Sequence, residues 1–115
     1  MSIQRIDNKG HLCKAVVHNG IAYLAGMTAA DDTQDIKGQM AQVLKAIDET
    51  LAAAGTDKSK LLSSMVYLSD MSVKGGMNEC WMDWLDGNAP PARATVGTAL
   101  GTPGKLVEIM VQAAV

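Results

Sequence analysis

The chain has 115 residues, 48% of them apolar and 19% charged, and these are the values of one globular domain with a single hydrophobic core. A formal net charge of −2, scattered Lys and Arg residues and the absence of Phe argue against a nucleic-acid partner, which requires clustered positive charge and aromatic side chains. The chain lacks an apolar run of membrane-helix length, and residues 1–7 lack the apolar segment of a secretory signal, so we expect one cytoplasmic domain over residues 1–115 without a membrane partner.

The first elements in chain order form a predicted β-hairpin. Segments 15–18 and 21–25 are separated by Asn19-Gly20, the pair that favours a type I′ turn. A short strand near residues 3–6 is expected to precede the hairpin. Gly26 follows it, where a missing Cβ allows a sharp turn or the close approach of a ligand.

Two amphipathic helices are predicted further along the chain. The first begins in the polar stretch 31–35, ends before Gly55 and has apolar residues at helical spacing: Ile36, Met40, Val43, Leu44, Ile47 and Leu51. The second begins at Asp70 or Ser72 and buries a similar stripe: Val73, Met77, Cys80, Trp81, Trp84 and Leu85. We interpret both Trp residues as core.

One strand is predicted between the helices, at 60–69, and two after them. The order βββαβαββ predicts an α+β fold, a six-stranded mixed sheet with both helices on one face. Apolar residues such as Leu24, Val66 and Met110 indicate that both faces of this sheet carry apolar side chains. Because an uncovered apolar face usually marks an interface, we expect a homo-oligomer that packs sheet against sheet.

Arg93 and Glu108 are charged residues within the last two apolar strands. Burying a charge is costly unless it is paired or functional. If these strands pair as a hairpin about the turn 101–104, the two residues are near neighbours on the sheet. The Arg fork fits a carboxylate, and the Glu can orient a water and exchange protons with it. A purely structural ion pair between them is the alternative.

The segment Pro91-Ala92-Arg93-Ala94-Thr95-Val96, followed by Glu108 in the last strand, resembles the signature of the Rid family, the reactive intermediate deaminases also called YjgF-like proteins. The likeness extends over 19–26, 67–71 and 88–96. It implies the chorismate mutase-like fold of YjgF proteins, in a homotrimer with clefts between subunits. It also implies hydrolytic deamination of small 2-imino or enamino acids, such as 2-iminobutanoate and 2-iminopropanoate, to 2-oxo acids and ammonia in metabolite damage control.

The resemblance assigns roles to individual residues. Arg93 would hold the substrate carboxylate, and Glu108 would activate the water that attacks the imine carbon. Gly26, Thr95 and Leu12 would line the cleft. No metal or cofactor is implied, and Cys13 and Cys80, which form no CxxC pair, are expected to be free packing thiols.

Three departures from the family pattern predict a divergent branch. Leu12 stands where the best-known deaminases have Tyr, Ala25-Gly26-Met27 replaces Ser-Gly-Gln, and Thr95 replaces a frequent Cys. They leave open a non-catalytic or regulatory protein that binds small carboxylates, and a divergent hydrolase or deaminase of a catabolic pathway.

Overall fold

The computed structural model describes residues 2–115. The strands and helices are, in order, β1 Gln4–Asn8, β2 Cys13–His18, β3 Ile21–Leu24, α1 Ile36–Ala53, β4 Leu61–Leu68, α2 Lys74–Leu85, β5 Ala92–Gly97 and β6 Val107–Ala114. The predicted order βββαβαββ is therefore confirmed.

The six strands form one mixed sheet in the order β1-β2-β3-β6-β4-β5. Only β4 and β5 run parallel, and every other neighbouring pair is antiparallel. The hairpin of β2 and β3 turns at Asn19 and Gly20, whose φ angles of 52° and 76° are those of a type I′ turn.

Both helices cover the same face of the sheet, as predicted. Helix α1 begins at its N-cap Asp35, whose carboxylate accepts a hydrogen bond of 2.9 Å from the Gly38 amide. Helix α2 follows a short 3₁₀ turn, and its C-cap Asp86 adopts a left-handed conformation with φ of 50°. Their buried apolar stripes join the inward-facing residues of the strands in one core. No helix within residues 2–115 is long and apolar enough to cross a membrane.

The expected hairpin between the last two strands is wrong. Strand β4 lies between β5 and β6, with Ser64 opposite Arg93 and Tyr67 opposite Glu108. The physical reason is the crossover through α2, which returns the chain beside β4 as a parallel strand. Arg93 and Glu108 are therefore not neighbours, and they project from opposite faces, since Ser64 and Tyr67 lie an odd number of positions apart on one strand.

The face of the sheet away from the helices, which we call the open face, is only partly buried. It carries Tyr23, Met65, Tyr67, Val96, Glu108, Met110 and Gln112. Tyr23, Val96 and Met110 are each 39% exposed, in contrast to the fully buried Val66 and Ile109 on the helix side. The open face thus exposes apolar side chains, among which the sequence had indicated Met110.

Candidate functional site

Arg93 lies on the helix side of β5, and α2 holds its guanidinium. Its Nη2 donates a hydrogen bond of 2.6 Å to Oδ1 of Asn78, and its Nη1 lies 3.8 Å from Sδ of Met77. Its Cζ lies 5.6 Å from the ring centroid of Trp81, within cation–π range. Three contacts from adjacent turns of α2 therefore orient the fork before any ligand binds.

The guanidinium lies in a cleft of about 540 Å³, which we call the arginine cleft. It is lined by Asn78, Trp81, Met82, Leu85, Gly87, Asn88, Pro90, Pro91 and Arg93. The ion pairs found within residues 2–115 do not include Arg93. Partial burial lowers the pKa of the Arg93 guanidinium below its ordinary value. The cleft thus contains a partly desolvated cation that an anionic ligand would neutralise.

Glu108 lies on the open face of β6, directly opposite Tyr67 of β4. Both line a second cleft of about 260 Å³, which we call the glutamate cleft, together with Thr98, Ala99, Leu100, Gly101 and Met110. A carboxylate and a phenol therefore share a partly enclosed space. Both groups are able to hydrogen-bond a water there.

Gly26 provides the space for the Glu108 carboxylate. The chain after β3 pairs with β6 again at Met27, whose amide donates to the Ile109 carbonyl at 2.8 Å and whose carbonyl accepts from the Ile109 amide at 3.1 Å. A Cβ added at Gly26 would overlap Oε2 of Glu108. The carboxylate therefore lies directly over the glycine, and the close approach predicted at Gly26 involves Glu108.

The segment that leads into β6 is fixed by Gln39, which is fully buried in α1. Its Nε2 donates to the Gly104 carbonyl at 2.9 Å, and its Oε1 accepts from the Leu106 amide at 2.9 Å. Sequence reasoning missed this residue, although a Gln set among the buried positions of an apolar stripe is a signal of a buried polar link.

The other predicted site residues lie apart from Glu108. Thr95 is on the helix side of β5, two positions after Arg93, and its buried Oγ1 has no hydrogen-bond partner among the described residues. Leu12 is 44% exposed in the turn between β1 and β2, and it is not among the described residues that line either cleft. Within a single chain, Gly26 therefore lies beside Glu108, whereas Arg93 lies apart from both.

Helix α2 contributes more to the arginine cleft than the sequence indicated. Trp81 is only 4% exposed, which confirms the core prediction for this residue, whereas Trp84 is half-buried against the core. The Trp81 ring also faces Arg93. Asn78, the hydrogen-bond acceptor for the guanidinium, was not predicted at all. Asn78 lies between two predicted core residues of α2, and nothing in this pattern indicates that an arginine from a strand contacts it.

The fold and these clefts define a class of α+β protein in which an arginine and a glutamate face opposite sides of one sheet. The model of the family described as Endoribonuclease L-PSP matches residues 2–115. The chain therefore belongs to that family, whose members include the RutC and YjgF (Rid) proteins reported next.

Individual relatives cover nearly the whole chain. A RutC family protein of Haemophilus ducreyi is 40% identical over 98% of this chain and 97% of its own length. The 2-iminobutanoate/2-iminopropanoate deaminase of Rattus norvegicus is 32% identical over 87% of this chain and 77% of its own. The crystal structure of a YjgF family member from Neisseria meningitidis superposes with a TM-score of 0.95 at 35% identity, over 99% of this chain and 95% of that one.

Proposed function

We propose that this protein is a cofactor-independent deaminase of the cytoplasm that hydrolyses reactive 2-imino or enamino acids to 2-oxo acids and ammonia. The rat relative at 32% identity bears the name of such an enzyme, whereas the RutC relatives bear only a family name. The proposal therefore depends chiefly on the chemistry of this chain's own residues.

The observation that carries the proposal is the way in which the Arg93 guanidinium is buried, oriented and, within residues 2–115, left without an ion-pair partner. The guanidinium is partly buried, and Asn78 and Trp81 orient it. It has no carboxylate partner among the described residues. These three properties suit the binding of an anionic ligand. A carboxylate matches it in charge and in geometry, because two parallel N–H···O bonds join a guanidinium to a carboxylate. The substrate's acid group would bind there.

Glu108 supplies the proton transfer in this proposal. Its carboxylate takes a proton from a water as the water oxygen adds to the imine carbon, which gives a carbinolamine. That proton passes to the imine nitrogen as the carbinolamine forms. The carboxylate then takes the hydroxyl proton of the carbinolamine and passes it to the same nitrogen, so that the C–N bond breaks as the C=O bond forms and ammonia leaves with both protons of the water. Because the imine carbon is already electrophilic, orientation and proton transfer are sufficient, and we include no metal or cofactor.

We further infer that each site combines residues of two copies of the chain. The strands of Arg93 and Glu108 are separated by β4, so their axes lie about 10 Å apart. The two residues also pair with positions roughly three residues apart along β4, and they project from opposite faces of the sheet. A small substrate cannot contact both groups in one chain. A trimer with clefts between its subunits, as the family resemblance implies, would place the Glu108 of one copy near the Arg93 at the β5 edge of the next.

A second candidate function is the capture of a small carboxylate without turnover. The observation that favours it is Leu12, which offers no hydroxyl where the family's best-known enzymes have Tyr, and which is exposed in this chain. The arginine cleft would serve a binding protein equally well. A divergent hydrolase of a catabolic pathway would use the same two clefts on a different bond.

An oxidase-coupled assay tests the proposal. An amino-acid oxidase generates 2-imino acids in solution, and 2-oxo acid release is followed with the wild-type protein and with Arg93→Ala, Glu108→Gln and the exposed control Arg5→Ala. We expect acceleration by wild type and by the control, with both site variants at least about 100-fold slower. Glu108→Gln loses an acid–base contribution of this usual size, and Arg93→Ala loses the contact that orients the substrate carboxylate. Full activity of Arg93→Ala would refute the assignment, and absent acceleration with retained carboxylate binding would favour the second function.

A further inference from the structure

The arginine cleft is larger than the reacting part of a small 2-imino acid requires. Its volume is about 540 Å³. Clefts of roughly 300 to 1,000 Å³ hold whole drug-sized ligands, whereas one water occupies about 30 Å³ of liquid volume. The carboxylate and imine carbon of a substrate would fill only the part of the cleft next to Arg93.

The rest of the cleft has apolar walls. Trp81, Met82 and Leu85 line it from α2, and Pro90 and Pro91 line it from the segment before β5. The polar groups of the lining are few. Those at the Arg93 end are the guanidinium and the Asn78 amide that holds it.

Asn88 contributes one further amide to this wall. Its Nδ2 donates to the Leu85 carbonyl at 2.8 Å, so part of its hydrogen-bonding capacity is used by the chain itself. Met82 contrasts with Trp81 and Leu85 on the same helix, which are buried, because 62% of its surface is exposed. An exposed, unbranched thioether on the wall of a cleft adapts readily to an apolar ligand group and gains from covering it.

We propose that this protein prefers carboxylate substrates with an extended apolar side chain, an inference that rests on the proposed function. The 2-imino acids derived from leucine, methionine or phenylalanine fit this description. The carboxylate binds Arg93, and the side chain lies along Trp81 and Met82. Met82 is then a specificity-determining residue, since it covers the part of the side chain farthest from the reacting carbon.

Two measurements on wild-type protein test the preference. The first is calorimetric binding of stable 2-oxo acids: pyruvate, 4-methyl-2-oxopentanoate and phenylpyruvate. The second is turnover of the 2-imino acids that correspond to them in the oxidase-coupled assay. Because each buried methylene is worth about a fourfold change in affinity, we expect the leucine-derived member of each series to exceed the alanine-derived one by at least about tenfold.

Met82→Trp narrows the cleft from its exposed wall. We expect it to lower the ratio of the leucine-derived to the alanine-derived values at least about fivefold. Asp83→Trp places the same ring on the next residue of α2, which does not belong to the arginine cleft lining, and should leave both series unchanged.

The two proposals fail in different ways. If wild type turns over both series without preferring longer side chains, the inference is overturned and the deaminase assignment stands. If wild type turns over nothing, the assignment fails, and the binding series alone still decides the inference. An equal affinity for pyruvate and 4-methyl-2-oxopentanoate would reject it.

Discussion

Gly26 and Glu108 illustrate how one missing Cβ positions a carboxylate. We predict that Gly26→Ala lowers kcat at least about tenfold, because the new methyl group would overlap Oε2 of Glu108 and move the carboxylate. The free energy of unfolding should change by less than about 1 kcal/mol, since the displaced atoms end a flexible side chain at a partly exposed position. Turnover assays and urea denaturation measure the two effects.

Gly75→Ala is the matched control. A Cβ at Gly75 meets no atom within 4 Å, and the residue lies in the first turn of α2. This variant should keep wild-type activity and gain up to about 1 kcal/mol of stability through helix propensity. If Gly26→Ala were as active as Gly75→Ala, the position of the Glu108 carboxylate would be irrelevant to turnover.

Asn78 allows a test of the charge on Arg93. In Asn78→Asp, a carboxylate replaces the amide 2.6 Å from Nη2 and forms an ion pair with the guanidinium. The pair would neutralise the cation that we assign to the substrate, so we predict that KM rises at least about tenfold, more than in Asn78→Ala. Substrate-saturation curves for both variants measure the change. An unchanged KM in Asn78→Asp would mean that the substrate carboxylate binds elsewhere.

At the scale of elements, Gln39 joins α1 to the segment that enters β6. The buried Gln39 side chain hydrogen-bonds both the Gly104 carbonyl and the Leu106 amide. Gln39→Leu leaves both of these backbone groups without that partner. We predict a loss of about 3 kcal/mol in the free energy of unfolding, because buried polar groups left unpaired are costly. Urea denaturation of the variant measures this loss.

Gln42→Leu is the comparison for Gln39→Leu. Gln42 lies on the same helix, and its Oε1 accepts a single exposed hydrogen bond of 3.0 Å from the Asp31 amide. Loss of this bond should cost less than about 1 kcal/mol, as is usual for a solvent-exposed hydrogen bond. Equal midpoints for the two variants would show that the buried link contributes nothing.

The elements that local sequence determines were the ones that could be predicted. Helical stripes, the Asn19-Gly20 turn and the order βββαβαββ each depend on residues close together in the chain, and the structure confirms them. The placement of β4 between β5 and β6 depends on a crossover, which no local pattern records. For the same reason Arg93 and Glu108 were expected as neighbours, and Asn78 was not connected to Arg93.

At the scale of the whole molecule, the open face connects the fold with the proposed site. It exposes Tyr23, Val96 and Met110 on the side of the sheet that no helix covers, and Glu108 lies among them. Arg93 lies on the other side, at the edge strand β5. The way in which copies of the chain cover the open face therefore also determines whether Glu108 lies near the Arg93 of another copy.

Mixed oligomers test this shared site directly. Arg93→Ala and Glu108→Gln are each predicted to be inactive, yet a 1:1 mixture refolded or exchanged together should recover activity. In a cyclic trimer with random assembly, about a quarter of the interfaces pair an intact Arg93 with an intact Glu108 of the neighbouring copy, so about a quarter of wild-type kcat is expected. The double variant, treated identically, should stay inactive. If the mixture stays inactive although native mass spectrometry shows mixed trimers, both residues would have to act within one chain, which their opposite faces argue against.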